Sequence, residues 1–222
     1  MGTIDLKKVT KEDLLARQPL REFFVWWNDI TDTDIISFEA ALDSASNEGE
    51  MQNYLEQNPL LLIQYLGGGH GRWVVPHKRL GADHVTDFIV GERDSMGFHW
   101  TAVELESPKD KIFNKNGDFS AKTNHAIRQI SDWRSWLKKN QNYASRPRCE
   151  QGLELKDIDP DLPGLIIIGR EKDVDPSTKE RRRQQSSQLD IRIHTYDWLL
   201  RNARGRVSAM ETLRSRQLES TS

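Results

Sequence analysis

Apolar positions change their spacing partway along the chain. Up to about residue 66 they recur at helical intervals. "DLLARQPLREFFVWW" is dense in apolar and aromatic residues, and "TDTDIISFEAAL" offers Thr and Asp as a cap before an apolar period. "NEGEMQNYLEQNPLLLIQYL" carries Met51, Tyr54 and Leu55 on one helical face, with Pro59 set to break or bend it. After the flexible turn "GGGHG" (67–71), stretches 72–80, 84–90 and 98–106 read as three strands joined by short Gly- and Asp-bearing turns, an antiparallel meander. Helical spacing returns over 120–140, with Ile127, Ile130, Trp133 and Leu137. A loop leads to "LIIIG" (165–169), wholly apolar as a strand buried on both faces should be. "DPSTKERRRQQSSQL" predicts a charged surface helix, and "IRIHTYDWLLRNA" a last strand and helix. From about Gly205 the chain turns polar, which predicts a fraying tail. The order predicts an α/β domain: a mixed central sheet of four or five strands with helices on both sides, preceded by N-terminal helices.

Composition narrows the class. The 222 residues are 36% hydrophobic and 30% charged, with a formal net charge of −2. That suits one globular domain with a small appendage and argues against a global basic field, though not against a local basic groove. The single Cys149 excludes a disulfide framework within the chain and a multi-cysteine zinc site. No secretory h-region opens the chain, and no apolar run approaches the ~20 residues that cross a bilayer. A soluble cytoplasmic protein with no membrane partner is expected.

The candidate chemistry lies in "TAVELESPKD" (101–110). Glu104 and Glu106 are two apart in a strand, so they share a face whose neighbours look buried. Asp87 sits in the preceding apolar stretch, and a hairpin would bring all three acids to one end of the sheet. Three close carboxylates cannot all stay ionised without a cation. A hard divalent metal such as Mg²⁺ (or Mn²⁺) meets that need, and so would Arg or Lys partners at a solvated strand end.

Several stretches taken together resemble a known family: "NEGEMQNYLEQNP" (47–59), "DF" (87–88), "VELESP" (103–108), "HAIRQISDW" (125–133), "LIIIGR" (165–170) and "HTYDWLL" (194–200). Their order and spacing are similar to the nuclease domain of Shedu, a bacterial anti-phage defence protein, and to the PD-(D/E)XK nuclease layout. The resemblance covers about residues 45–202. It implies a restriction-endonuclease-like fold, a Mg²⁺-dependent phosphodiesterase acting on double-stranded DNA, and homo-oligomers. It implies an N-terminal helical extension over 1–45, a nuclease-like domain over 46–204 and a tail over 205–222.

Roles carry over residue by residue. Asp87 and Glu104 match the metal-binding acids, and Gln129 matches a polar helix residue bordering the site. Glu48 matches an acid of the first helix that closes the site, with Glu50 as the alternative. Glu106 departs from the pattern, because it stands where the motif usually carries Lys. It could be a further metal ligand or a base that orients water. Lys109 or Lys111 could swing an ammonium into the vacated place. The remaining alternative is an inactive nuclease-fold module that binds DNA or protein without cutting.

Other features weigh less. His125, Gln129 and Asp132 share a helix face, either a polar wall of the site or a solvated face with His125 packed beneath it. "KERRRQQ" (179–185), "HKR" (77–79) and Arg201, Arg204 and Arg206 are basic groups that could meet phosphate but read first as solvated surface. Most of the seven tryptophans should be core, with Trp26 and Trp27 a candidate interface anchor. "GGGHG" lacks the Lys-Ser/Thr of a nucleotide-binding loop.

Overall fold

Capping residues start the first two helices where the sequence places them. The computed structural model describes residues 15–219 apart from Arg17, Gly68 and Gly69, with backbone only at 214 and 217–219. The stretch expected to be helical from residue 11 therefore lies partly outside the described residues. Helix α1 (Asp32–Ser44) opens on Thr31, whose backbone N–H donates to Asp34 Oδ2 at 2.8 Å. Helix α2 (Glu48–Gln57) opens on Asn47, whose side-chain oxygen accepts from the Glu50 backbone N–H at 3.0 Å. Pro59 lies beyond the end of α2 and begins a 3₁₀ turn (Pro59–Leu62), since a proline cannot donate to the preceding helical turn.

The main sheet has five strands in the order β1-β4-β5-β6-β7. Strands β1 (Gly71–Pro76), β4 (Phe88–Asp94) and β5 (Gly97–Leu105) form the antiparallel meander, with Val74 opposite Val90 and Phe88 opposite Val103. Strands β6 (Gly164–Ile167) and β7 (Ile191–His194) add on in parallel. Parallel neighbours need crossovers. These are α3 (Ala121–Ser145) between β5 and β6, and α4 (Lys179–Leu189) between β6 and β7. Helix α5 (Tyr196–Glu219) closes the described chain.

Strand alternation divides the core in two. Val74, Phe88, Val90, Val103, Leu105, Leu165 and Ile167 pack with α1, α2 and α5. Trp73, Val75, Ile89, Trp100, Ala102, Ile166 and Ile193 pack with α3 through Ala126, Ile130, Trp133 and Leu137. On the second face Gly91 lies opposite Trp100, and a Cβ there would stand 2.5 Å from the indole ring. Gly91→Val is expected to lower stability by about 1–3 kcal/mol, measured as a shift in the urea midpoint, because a packed core absorbs added methyls poorly.

Four sequence expectations change. Over 20–30 the chain expected to be helical has helical structure only as the 3₁₀ turns Arg21–Phe23 and Trp27–Asp29. Stretches 72–80 and 84–90 are not continuous strands. His77 takes a left-handed backbone (φ +46), and β2 (Arg79–Leu80) pairs with β3 (His84–Val85) as a separate small hairpin. The chain rejoins the main sheet only at Phe88, so Asp87 occupies the bend at the point of entry rather than the strand. The region after Gly205 continues as helix to Glu219, because Val207 and Met210 anchor it in the core. Trp27 is half-buried rather than a free anchor: the guanidinium groups of Arg72 and Arg206 lie 5.2 and 5.0 Å from its ring. No helix among the described residues is long and apolar enough to cross a membrane.

Candidate active site

Five segments deliver side chains to the C-terminal end of β5. From the strand comes Glu104 and, one residue past its end, Glu106, only 3% and 1% exposed. They alternate with Val103 and Leu105, so they face α3. The bend before β4 contributes Asp87. Its Oδ2 accepts the Leu105 backbone N–H at 2.8 Å and its Oδ1 accepts the Gln52 amide at 3.1 Å. Helix α2 adds Glu48 from its first turn. Helix α3 adds Lys122, His125 and Gln129. The segment after β7 closes the floor, where the Tyr196 hydroxyl donates to the Glu106 backbone carbonyl at 2.9 Å.

Burial and mutual repulsion dominate the electrostatics. Desolvation, then the charges of Asp87, Glu48 and Glu106, push Glu104 up to about 10, against a lowering hydrogen bond from Gln129. Desolvation also raises Asp87 to about 6, partly offset by the Leu105 N–H. Glu48 rises to about 7 through desolvation and then the carboxylates of Glu106 and Asp87. The four acids therefore feel one another. Glu50 does not join them: it caps its own helix, accepting from the Ser46 backbone N–H at 2.7 Å and from the Asn47 amide at 2.7 Å.

One ammonium enters this cluster, and it comes from α3. Lys122 Nζ donates to Glu106 Oε2 at 2.9 Å and stands 3.9 Å from Glu48 Oε2. Neither Lys109 nor Lys111 makes an ion pair with these acids among the described residues, and both are exposed. The positive charge that faces Glu106 thus arrives from 16 residues further on. His125 is exposed rather than packed beneath the helix, with Nδ1 3.4 Å from Glu106 Oε1. Asp132, the third member of the expected polar face, is exposed a turn further along.

Sequence reasoning missed Lys122 and Gln52. Lys122 was findable, since 122, 125 and 129 fall on one helical face and the expected face only needed extending back one turn. Gln52 carried no such signal. It bridges Asp87 to His77, at 3.4 Å from Nδ1, and His77 in turn pairs with Glu56. That contact depends on the left-handed turn at His77, which is a tertiary feature.

A divalent cation suits this donor set. Glu104 Oε2, Glu106 Oε1 and Gln129 Oε1 are buried with no hydrogen-bond partner among the described residues. Buried oxygens left without partners are costly, so a cation here would compensate an existing deficit. No group of three or more His, Cys, Asp or Glu side chains among the described residues is placed to hold a metal ion by itself. Mg²⁺ does not require such a group, because it is held by one or two carboxylates and keeps several waters.

The fold and this cluster of acids define a mixed α/β domain with buried carboxylates gathered at one sheet end. The family model for Shedu protein SduA, C-terminal, matches residues 45–200, and the chain belongs to that family. The matched span contains Glu48, Asp87, Glu104, Glu106, Lys122 and Gln129. No curated protein sequence matches the chain.

Proposed function

We propose that the protein is a metal-dependent DNA endonuclease of the PD-(D/E)XK type, serving anti-phage defence. The observation that carries this reading is the convergence of Glu48, Asp87, Glu104 and Glu106 around unpartnered buried oxygens, with one ammonium beside them. Membership of the Shedu family supports the defence role.

Asp87 and Glu104 would hold Mg²⁺ or Mn²⁺, with Glu48 and Glu106 completing the shell. When bound, such a cation neutralises charge at the scissile phosphate and acidifies a water molecule. The Leu105 N–H and Gln52 orient the Asp87 carboxylate. Gln129 lies beside Glu104 and lowers its pKa against the larger raising effects, so it would help orient that carboxylate. Lys122 places an ammonium where negative charge develops on the phosphate oxygens. The Glu106 carboxylate, held by Lys122, can take up a proton from the attacking water.

The test is incubation of purified protein with plasmid and linear double-stranded DNA, with Mg²⁺, Mn²⁺ or chelator. Wild type should cut only with metal, and Asp87→Ala should cut at least about a hundredfold more slowly. Equal cleavage by wild type and by the Asp87→Ala, Glu104→Ala double variant would overturn the assignment.

A further inference from the structure

A second pocket lies on the other side of the sheet, against its β7 edge. Ile191 and Ile193 face α3, so Arg192 and His194 alternate to the opposite face, away from Glu104 and Glu106. There a cavity of about 260 Å³ opens between β7, α4 and the start of α5. Lys179, Arg182, Arg201, His194, Thr195 and Trp198 line it. A second cavity of about 280 Å³ adjoins it, sharing Lys179, Arg182 and His194 and adding Arg183 and Arg192.

The charge of this pocket is one-sided. Among the described residues its one lining carboxylate is Glu171, and that is already paired with Arg201. Arg182 is half-buried and makes no hydrogen bond or ion pair among the described residues. Desolvation, against the attraction of Glu171 and together with the repulsion of Arg201, lowers its pKa. Partial burial of a guanidinium with no acceptor carries a cost that an anion would compensate. His194 stacks on Trp198 with centroids 4.0 Å apart. Burial first, then Arg182, Arg192 and Arg201, lower His194 to about 4, so at neutral pH it is an uncharged imidazole inside a cationic ring. The wall is therefore aromatic, and Lys179 and Arg182 line the same cavity.

We propose that this cavity binds a phosphate dianion, free or as a phosphomonoester, with Arg182 as its principal ligand and Lys179 as the supporting cation. A planar guanidinium fork matches two phosphate oxygens, and the neighbouring cation balances the second charge. A cavity of this size admits a phosphate group with little more than a sugar attached. The phosphate could belong to inorganic phosphate, to a nucleoside monophosphate or to the phosphorylated end of a nucleic-acid strand. The proposal does not depend on the nuclease reading, because no residue is shared with the carboxylate site.

Calorimetry on the full chain without added divalent metal tests it. The probes are inorganic phosphate, a nucleoside 5′-monophosphate, and a short single-stranded oligonucleotide with and without a 5′-phosphate, all at matched ionic strength. At least one phosphate-bearing probe should bind saturably and raise the melting temperature. Arg182→Ala should weaken that binding about tenfold or more while leaving the circular dichroism spectrum unchanged. Arg182→Lys should recover part of it. Tightest binding by inorganic phosphate, by the monophosphate or by the phosphorylated oligonucleotide identifies the source. Equal binding of the two oligonucleotides assigns the site to a small phosphate rather than a strand end. The proposal fails if no phosphate-bearing probe binds, if matched chloride gives the same shift, or if Arg182→Ala binds the phosphate probes as wild type does.

Discussion

Lys122→Met is expected to lower metal-dependent DNA cleavage by about two to three orders of magnitude, the effect of removing one well-placed electrostatic group from a site. Lys109→Met and Lys111→Met should stay within a few-fold of wild type. The reason lies in the exchange between β5 and α3. On the proposed PD-(D/E)XK reading, Glu106 stands at the strand position of a lysine, and its carboxylate cannot stabilise negative charge on phosphate. Lys122 reaches the same space from the first turn of α3 and is held there by Glu106 itself. The two residues act as a unit, so Lys122→Met with Glu106→Gln should cost less than the two losses combined. Lys122→Arg should retain part of the rate, since charge survives and geometry shifts. Single-turnover cleavage with saturating enzyme separates this from weakened DNA binding. If Lys122→Met cuts at the wild-type rate, the ammonium has no part in the chemistry.

The second large effect is on stability against pH. Glu104 in the folded, metal-free chain is pushed up to about 10, whereas the unfolded chain releases that proton near 4.5. Between those values the folded state holds more protons than the unfolded state, so stability falls as pH rises. Its contribution is fully present below about 4.5 and is lost as pH climbs to about 10. Glu48 and Asp87, raised to about 7 and about 6, act in the same direction at lower pH. His194, lowered to about 4, acts in the opposite direction below its ordinary value of 6.5, because the unfolded chain then takes up the proton. The informative interval is therefore pH 7 to 9. There one such carboxyl costs roughly 1.4 kcal/mol per pH unit, or about 2–3 kcal/mol across the interval. Urea titrations of metal-free protein should show this loss, and Glu104→Gln should remove most of it. Added Mg²⁺ should stabilise wild type more at pH 9 than at pH 7, because its ligands must be deprotonated to bind. A wild-type midpoint that is flat or rises over the interval without metal would contradict the buried, crowded carboxyl.

The meander, the parallel additions and the helices on both faces follow from local patterns. "LIIIG" is apolar throughout, which only a strand covered on both sides tolerates, and Ile127, Ile130, Trp133 and Leu137 allow one face of α3 toward the sheet. The broken strands were not legible. Residues 72–90 are apolar enough to read as two long strands, and nothing local marks His77 as the left-handed residue that splits the first from its hairpin. The end of α5 was hidden for a related reason. Its sequence after Gly205 is mostly polar, and two apolar side chains, Val207 and Met210, suffice once a core exists for them to enter.

The site divides along the same line. By itself the sequence determined that Glu104 and Glu106 share one strand face, that this face is buried, and that such a pair needs a compensating charge. Those conclusions follow from a period of two and the cost of desolvating carboxylates, both local properties. Only the tertiary structure decided which charges arrive. Asp87 reaches the pair because the chain re-enters the sheet at Phe88. Glu48 rather than Glu50 faces it because Glu50 is spent on its own helix cap. Lys122 reaches Glu106 because the crossover between two parallel strands returns the start of α3 to the end of β5. An ammonium acts through space over a few ångströms and is indifferent to how many residues of chain separate it from its partner. Strand spacing could therefore reveal the need for a cation, but not its source.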